Sequence, residues 1–238
     1  VVALLQKCTK PVVAIFLGEK PENHEGKVYL AHTLEETARM AVDLANGDPV
    51  KDNYCDPIDY EVSRPLAADK TVKGLYSGGS LAAEAGMLIA EALNLGGLIK
   101  EEGYILKTGG YEVVDLGDDV YTKQKPASVI DPEVRIKKIL ECAKDPQTGV
   151  ILLDCMLGYG CHPDMAGALA PAIREAQKIA KADGRELYFV ASVCGTRQDP
   201  QDYDRAVAEL KECGVLVEES NARAIRLALK LKGIDYKE

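Results

Sequence analysis

Two glycine-bearing turns hold the residues of this chain best suited to binding an anion. Ser77-Gly78-Gly79-Ser80 follows the apolar run Val72–Tyr76 and opens an alanine-rich helical pattern from Leu81 to Asn94. A strand that breaks into a small turn and then a helix leaves the first helical N–H groups aimed at the space before it. Glycine there lets backbone approach a bound group closely. The second turn, Leu157-Gly158-Tyr159-Gly160-Cys161-His162-Pro163-Asp164, has the same character. Neither turn selects among anions, and a phosphate or a carboxylate would fit. The plainer alternative is that both are only tight strand-to-helix turns.

Several side chains beside these turns have two readings each. His162 would hold an anion or act as an acid, since imidazole titrates nearest to neutral pH; it would equally cap or pack the next helix. Cys161 adjoins it in sequence, which does not make the two a nucleophile and base. Asp115, Asp118 and Asp119 carry the hard oxygens that suit Mg²⁺ beside a phosphate, or form an acidic exposed turn, the reading preferred here. Arg197 would pair with a carboxylate or phosphoryl oxygen, or lie on the surface. Cys155 and Cys194, at the ends of apolar runs, read as core thiols. His24 sits among acidic residues and reads as a solvated loop histidine. No Walker A turn is present.

The elements that must position these residues alternate strand and helix. Val72–Tyr76, Tyr111–Leu116, Gly149–Cys155, Leu187–Val193 and Val215–Val217 read as strands. Helices are expected after each: from Ser80, from Asp131-Pro132 with Asp131 as cap, from Pro163 to about Ala182, from Asp202 to Cys213, and from Ser220. Pro171 should kink the third of these or split it. Repeated strand–helix alternation implies a doubly wound, flavodoxin-like sheet of five parallel strands. In such a sheet ligands sit at the carboxyl ends of the first and third strands, which is where both glycine turns fall. An internal repeat adds to this: Val28–Thr33 and its helix parallel Val215–Ser220 and its helix at one constant offset, pairing Thr33 with Ser220 and Arg39 with Arg226.

Composition narrows the function classes. Hydrophobic content of 47% and charged content of 28% over 238 residues are those of an ordinary globular chain. A net charge of −9 excludes a general nucleic-acid binder, which needs a basic stripe to displace counterions. No apolar run approaches the ~18 residues of a membrane span, and no signal peptide is visible. The seven cysteines, scattered and without a C-x-x-C pair, read as reduced thiols of a cytoplasmic protein.

Lys10-Pro-Val-Val-Ala-Ile-Phe-Leu-Gly18, Gly74–Ala85, Asp115-Leu-Gly-Asp-Asp119, Ile130-Asp-Pro132 and Leu152–Gly160 together resemble the FdrA family. That family is acyl-CoA-synthetase-like, within the succinyl-CoA synthetase superfamily. The resemblance implies that residues 1–46 are the end of a first ligase-type α/β domain, 47–71 a linker, and 72–238 a complete flavodoxin-like CoA-ligase-type domain. On this basis the chain is expected to be the C-terminal part of a longer protein. The resemblance further implies an acyl or carbamoyl phosphate ligand bound by Ser77, Gly78, Gly79, Ser80, Gly158, Tyr159, Gly160 and Arg197. It points to a subunit of oxamate carbamoyltransferase in purine (allantoin) breakdown. CoA or Mg²⁺ would belong to the full-length protein, with other subunits of the same complex as partners and a homo-oligomer as the expected state. One departure matters: the Gly-His-Ala-Gly loop of succinyl-CoA synthetases is replaced by Glu19–Gly26, so the phosphohistidine relay is not expected, and the chain alone should not ligate CoA. The alternatives are a non-catalytic scaffolding domain of a larger complex and an independent flavodoxin-like module. Flavin is disfavoured by the lack of tryptophan and the presence of only two phenylalanines.

Overall fold

The structure, a computed structural model, describes residues 1–18, 26–95 and 101–236; His24 lies outside them. The chain forms two compact units, Val1–Asp59 and Tyr60–Tyr236.

In the first unit α1 (Val2–Leu5) precedes two parallel strands, β1 (Val12–Ile15) and β2 (Val28–Ala31), and then α2 (Leu34–Asn46). Thr33 caps α2, its Oγ1 accepting the Glu36 N–H at 3.1 Å, and Gly47 ends it at φ 81°. Ala31, Met40 and Tyr54 form the small core. The Tyr54 hydroxyl donates to Asp43 at 2.9 Å and accepts from the Lys51 N–H at 3.0 Å.

The second unit holds β3 (Thr71–Tyr76), α3 (Gly79–Ala92), β4 (Tyr104–Thr108), β5 (Tyr111–Asp115), α4 (Asp119–Thr122) and α5 (Glu133–Lys144). It continues with β6 (Thr148–Met156), α6 (Met165–Ala182), β7 (Tyr188–Cys194), α7 (Tyr203–Glu212), β8 (Leu216–Glu218) and α8 (Asn221–Leu231). Its sheet has six strands in the order β4-β5-β3-β6-β7-β8. Five of them are parallel, with the winding expected of a flavodoxin-like sheet. The sixth, β4, corrects the five-strand expectation. It runs antiparallel to β5 across the tight Gly109-Gly110 turn, where both residues take positive φ, 54° and 84°.

β3 and β6 are buried along almost their whole length, because helices cover both faces. α6 neighbours both α5 and α7, and α3 neighbours α8. Leu153, Leu169, Ile173 and Phe189 sit in the main core at 2% exposure or less, each burial contributing about 1.5–3 kcal/mol. α6 is continuous through the exposed Pro171, so the proline does not split it. α5 starts at Glu133 with Pro132 as its cap residue, and Asp131 Oδ1 accepts the Glu133 N–H at 3.0 Å. Ser220 caps α8 as Thr33 caps α2, accepting the Arg223 N–H at 3.1 Å. The stretch before β3 is tied to the last helix: the Leu66 N–H donates to the Leu231 carbonyl, and Lys232 Nζ donates to the carbonyls of Ala67 and Ala68.

Candidate functional site at the carboxyl end of the sheet

β3 and β6 are neighbouring parallel strands, so the turns that follow them leave the same end of the sheet. The first turn is shaped by a residue that the glycine pattern did not single out. Asp154, fully buried in β6, accepts the Ser77 N–H at 2.9 and 3.1 Å, the Gly78 N–H at 2.8 Å and the Ser77 hydroxyl at 3.1 Å. Its charge is met by Arg135 of α5, itself 0% exposed. Arg135 Nη2 pairs with Asp154 Oδ1, and Nη1 donates to the Asp154 carbonyl at 2.7 Å. A buried carboxylate is retained only when its lone pairs and charge are satisfied, and here both are. The lone acid inside the apolar run Gly149–Cys155 was the sequence signal for such a partner.

With Ser77 and Gly78 occupied, α3 begins at Gly79, and its cap, Gly78, offers no side-chain oxygen. Ser80 is an exposed residue of the first turn, not the cap. Intrahelical bonding starts with the Ala82 N–H on the Gly78 carbonyl, so the N–H groups of Gly79, Ser80 and Leu81 point out of the helix end. Gly79 does not have a positive φ. Its need for glycine is steric: a Cβ there would stand 2.7 Å from Asp115 Oδ2. Asp115, at the end of β5, thus lies against this helix end, while its Oδ1 accepts the Gly117 N–H at 2.9 Å. From the other side, Asn221 holds the Leu81 carbonyl and the buried Glu84. Burial, with the charges of Asp154 and Glu84 adding to it, drives the Tyr76 hydroxyl well above the ordinary phenol pKa.

The second turn is more committed to internal bonds. The Gly158 N–H donates to Gln201 Oε1 at 2.9 Å, and Gln201 Nε2 donates back to the Gly158 carbonyl at 2.9 Å and the His162 carbonyl at 3.2 Å. Gly158 takes φ 136°, Gly160 is open on its Cβ side, and Tyr159 is 93% exposed. His162 Nδ1 accepts the Asp164 N–H at 3.0 Å, which ties the ring to the start of α6. Asp164 caps that helix through the Gly167 N–H at 3.1 Å.

Other expected participants lie elsewhere or are already engaged. Arg197 is exposed and forks onto Asp204, both bonds 2.9 Å, beside the Tyr203 ring. It lines a groove of about 760 Å³ with Lys211, Val207 and Val217 that includes neither glycine turn. Asp118 caps α4, accepting the Val120 N–H at 3.0 Å, and among the described residues no His, Cys, Asp and Glu are grouped as a metal-ligand set. Asp115, Asp118 and Asp119 are therefore not drawn together as cation ligands. Cys155 is a core thiol as expected, but Cys194 is exposed at its strand end. Burial raises the Cys161 thiol, and nearby Asp199 and Asp154 raise it further, opposite to what a thiolate nucleophile requires.

Comparison with known proteins follows the second unit closely. A family model described as CoA-ligase matches residues 75–231, from β3 through α8. The chain is 34% identical over 238 residues to the uncharacterized protein YahF of Escherichia coli (strain K12), an alignment covering 93% of this chain and 45% of that protein. The chain thus spans less than half the length of this relative. No described helix is long and apolar enough to cross a membrane.

Proposed function

This chain belongs to the CoA-ligase family, and on that premise we propose that its second unit is the anion-binding domain of an FdrA-like, acyl-CoA-synthetase-like protein. The ligand is an acyl or carbamoyl phosphate, bound at the amino end of α3. The observation that carries the reading is the outward set of N–H groups at Gly79, Ser80 and Leu81 in a 14-residue helix. These donors and the helix dipole together favour a phosphoryl group. The Tyr159-Gly160 backbone, on the turn after β6, faces the same end of the sheet and completes the cradle. Asp115 shares the helix end and competes with the ligand as an internal carboxylate. Arg197, held by Asp204, takes no part, and the reading includes no Mg²⁺. In the full-length protein, with its partner subunits, the domain would serve oxamate carbamoyltransferase chemistry.

The scaffolding alternative has an observation of its own: Asp154 already fills the two N–H groups that a ligand reaching deeper into the turn would use. Titrating carbamoyl phosphate and acetyl phosphate into the ¹⁵N-labelled chain separates the two. Amide shifts centred on Gly79, Ser80 and Leu81 are expected, with tighter binding in Asp115→Asn. Unmoved amides in the chain and in the full-length assembly would leave the scaffold reading standing.

A further inference from the structure

We propose that Asp154 and Arg135 are positioning residues for the anion site, a role that rests on the phosphate-binding reading above. The carboxylate is bound by three donors from two consecutive residues, Ser77 and Gly78, directly before the three outward N–H groups. Adjacent peptide planes cannot reorient independently when both of their amides are held. Fixing Ser77 and Gly78 therefore fixes the direction of the Gly79, Ser80 and Leu81 donors. The protein's own anion occupies the inner part of the turn, and the ligand's place begins one residue further out.

Arg135 supplies the second half of the device. A bare carboxylate at the base of the turn would repel an arriving phosphate through low-dielectric protein, where charges act strongly at short range. The guanidinium offsets that field by pairing with the carboxylate and also grips the Asp154 carbonyl, so strand and side chain are held together. Its Nε has no hydrogen-bond partner, so the group is placed for the carboxylate at the cost of one unsatisfied buried donor. Gly78 lets the carboxylate in: a Cβ there would stand 3.2 Å from Asp154 Oδ2 and 3.0 Å from Met156 Sδ. The ion pair by itself is not what stability demands, because apolar residues of similar volume commonly replace buried ion pairs without loss; what the carboxylate adds is its hold on the Ser77 and Gly78 donors. The arrangement is accounted for by what it does to the turn.

The test uses the whole 238-residue chain and inorganic phosphate as the probe. In the wild type, the Ser77 and Gly78 amides should exchange slowly and stay unmoved by phosphate, while those of Gly79, Ser80 and Leu81 shift. Equal shifts at all five would mean that the ligand displaces Asp154, and would overturn the proposal without any variant. The double variant Asp154→Leu with Arg135→Met removes both charges together but leaves the Ser77 and Gly78 donors unpaired, so it should fold with a lowered unfolding temperature, as circular dichroism and thermal unfolding will report. It should bind phosphate at least tenfold more weakly. A folded double variant with wild-type affinity overturns the positioning role alone. A wild type that shows no phosphate response anywhere overturns the binding reading, and the positioning role falls with it.

Discussion

Asn221 Nδ2 donates to Glu84 Oε2 at 2.7 Å and to the Leu81 carbonyl at 3.0 Å, tying the first residue of α8 to the first two turns of α3. Glu84 is 0% exposed, so each hydrogen bond to it replaces water that it cannot reach. Asn221→Leu keeps the volume and removes both donors. It should cost about 2 kcal/mol, the usual scale for a hydrogen bond to a buried charged group. Urea denaturation with an unchanged m-value would report this; a loss below about 0.5 kcal/mol would show that Asn221 is dispensable to α3.

Gly79→Val should weaken phosphate binding tenfold or more while the sheet stays folded. The cause is not strain in the backbone but the 2.7 Å approach of the new Cβ to Asp115 Oδ2, which forces the carboxylate or the helix end to move. Combining it with Asp115→Ala should recover part of the affinity, because the obstacle is then gone. Ser80→Ala is the control. As an exposed first-turn residue and not the cap, Ser80 should change stability by less than about 0.5 kcal/mol.

Arg197→Ala should leave the affinity for carbamoyl phosphate unchanged, because both arms of the guanidinium already hold Asp204 on an exposed surface. Isothermal titration of the variant beside the wild type measures this. A tenfold loss would bring Arg197 back to the site.

Burial pushes the Cys155 thiol up to about 12 and the Cys142 thiol up to about 11. The unfolded chain releases these protons near pH ~8.5, so the folded state holds more protons above that point. Stability from these thiols is therefore whole below pH ~8.5 and is lost as pH rises through the folded values. By pH 11 the loss should be on the order of 3 kcal/mol from Cys155. Thermal unfolding between pH 8 and 11 checks the sign. Alkylation at pH 8 should mark exposed Cys8 and spare Cys155 and Cys142.

Much of this fold was legible because it is carried by local chemistry. Ser220, Asp202 and Asp164 each precede a helix, and each accepts the N–H three residues on. The continuous apolar runs became the buried parallel strands. β4 escaped although its signal was present: Tyr104–Thr108 and Tyr111–Asp115 flank a two-glycine turn, the pattern of a tight hairpin. Strand–helix alternation hid it, because an antiparallel edge strand breaks that rhythm. At the site the glycine turns could be read, but their occupant could not. Asp154 stands 77 residues from Ser77 and 19 from Arg135, and only the folded sheet brings the three together. What was not legible at Arg197 was its local partner, Asp204, seven residues on in the first turn of the next helix.

Pro171 sits in the seventh position of α6 and has no N–H to give back to Gly167. Only that one rung is missing: the Ala168 N–H still donates to the Asp164 carbonyl at 3.1 Å, and Met165, Ala166, Leu169 and Ala170 are all buried in the main core. The leading turns therefore open together with the core and not apart from it, because their buried apolar contacts would be exposed at the same moment. The proline thus costs the helix one hydrogen bond at an exposed position and leaves it a single unit in energy as well as in shape, closed at its outer end by the cap at Asp164.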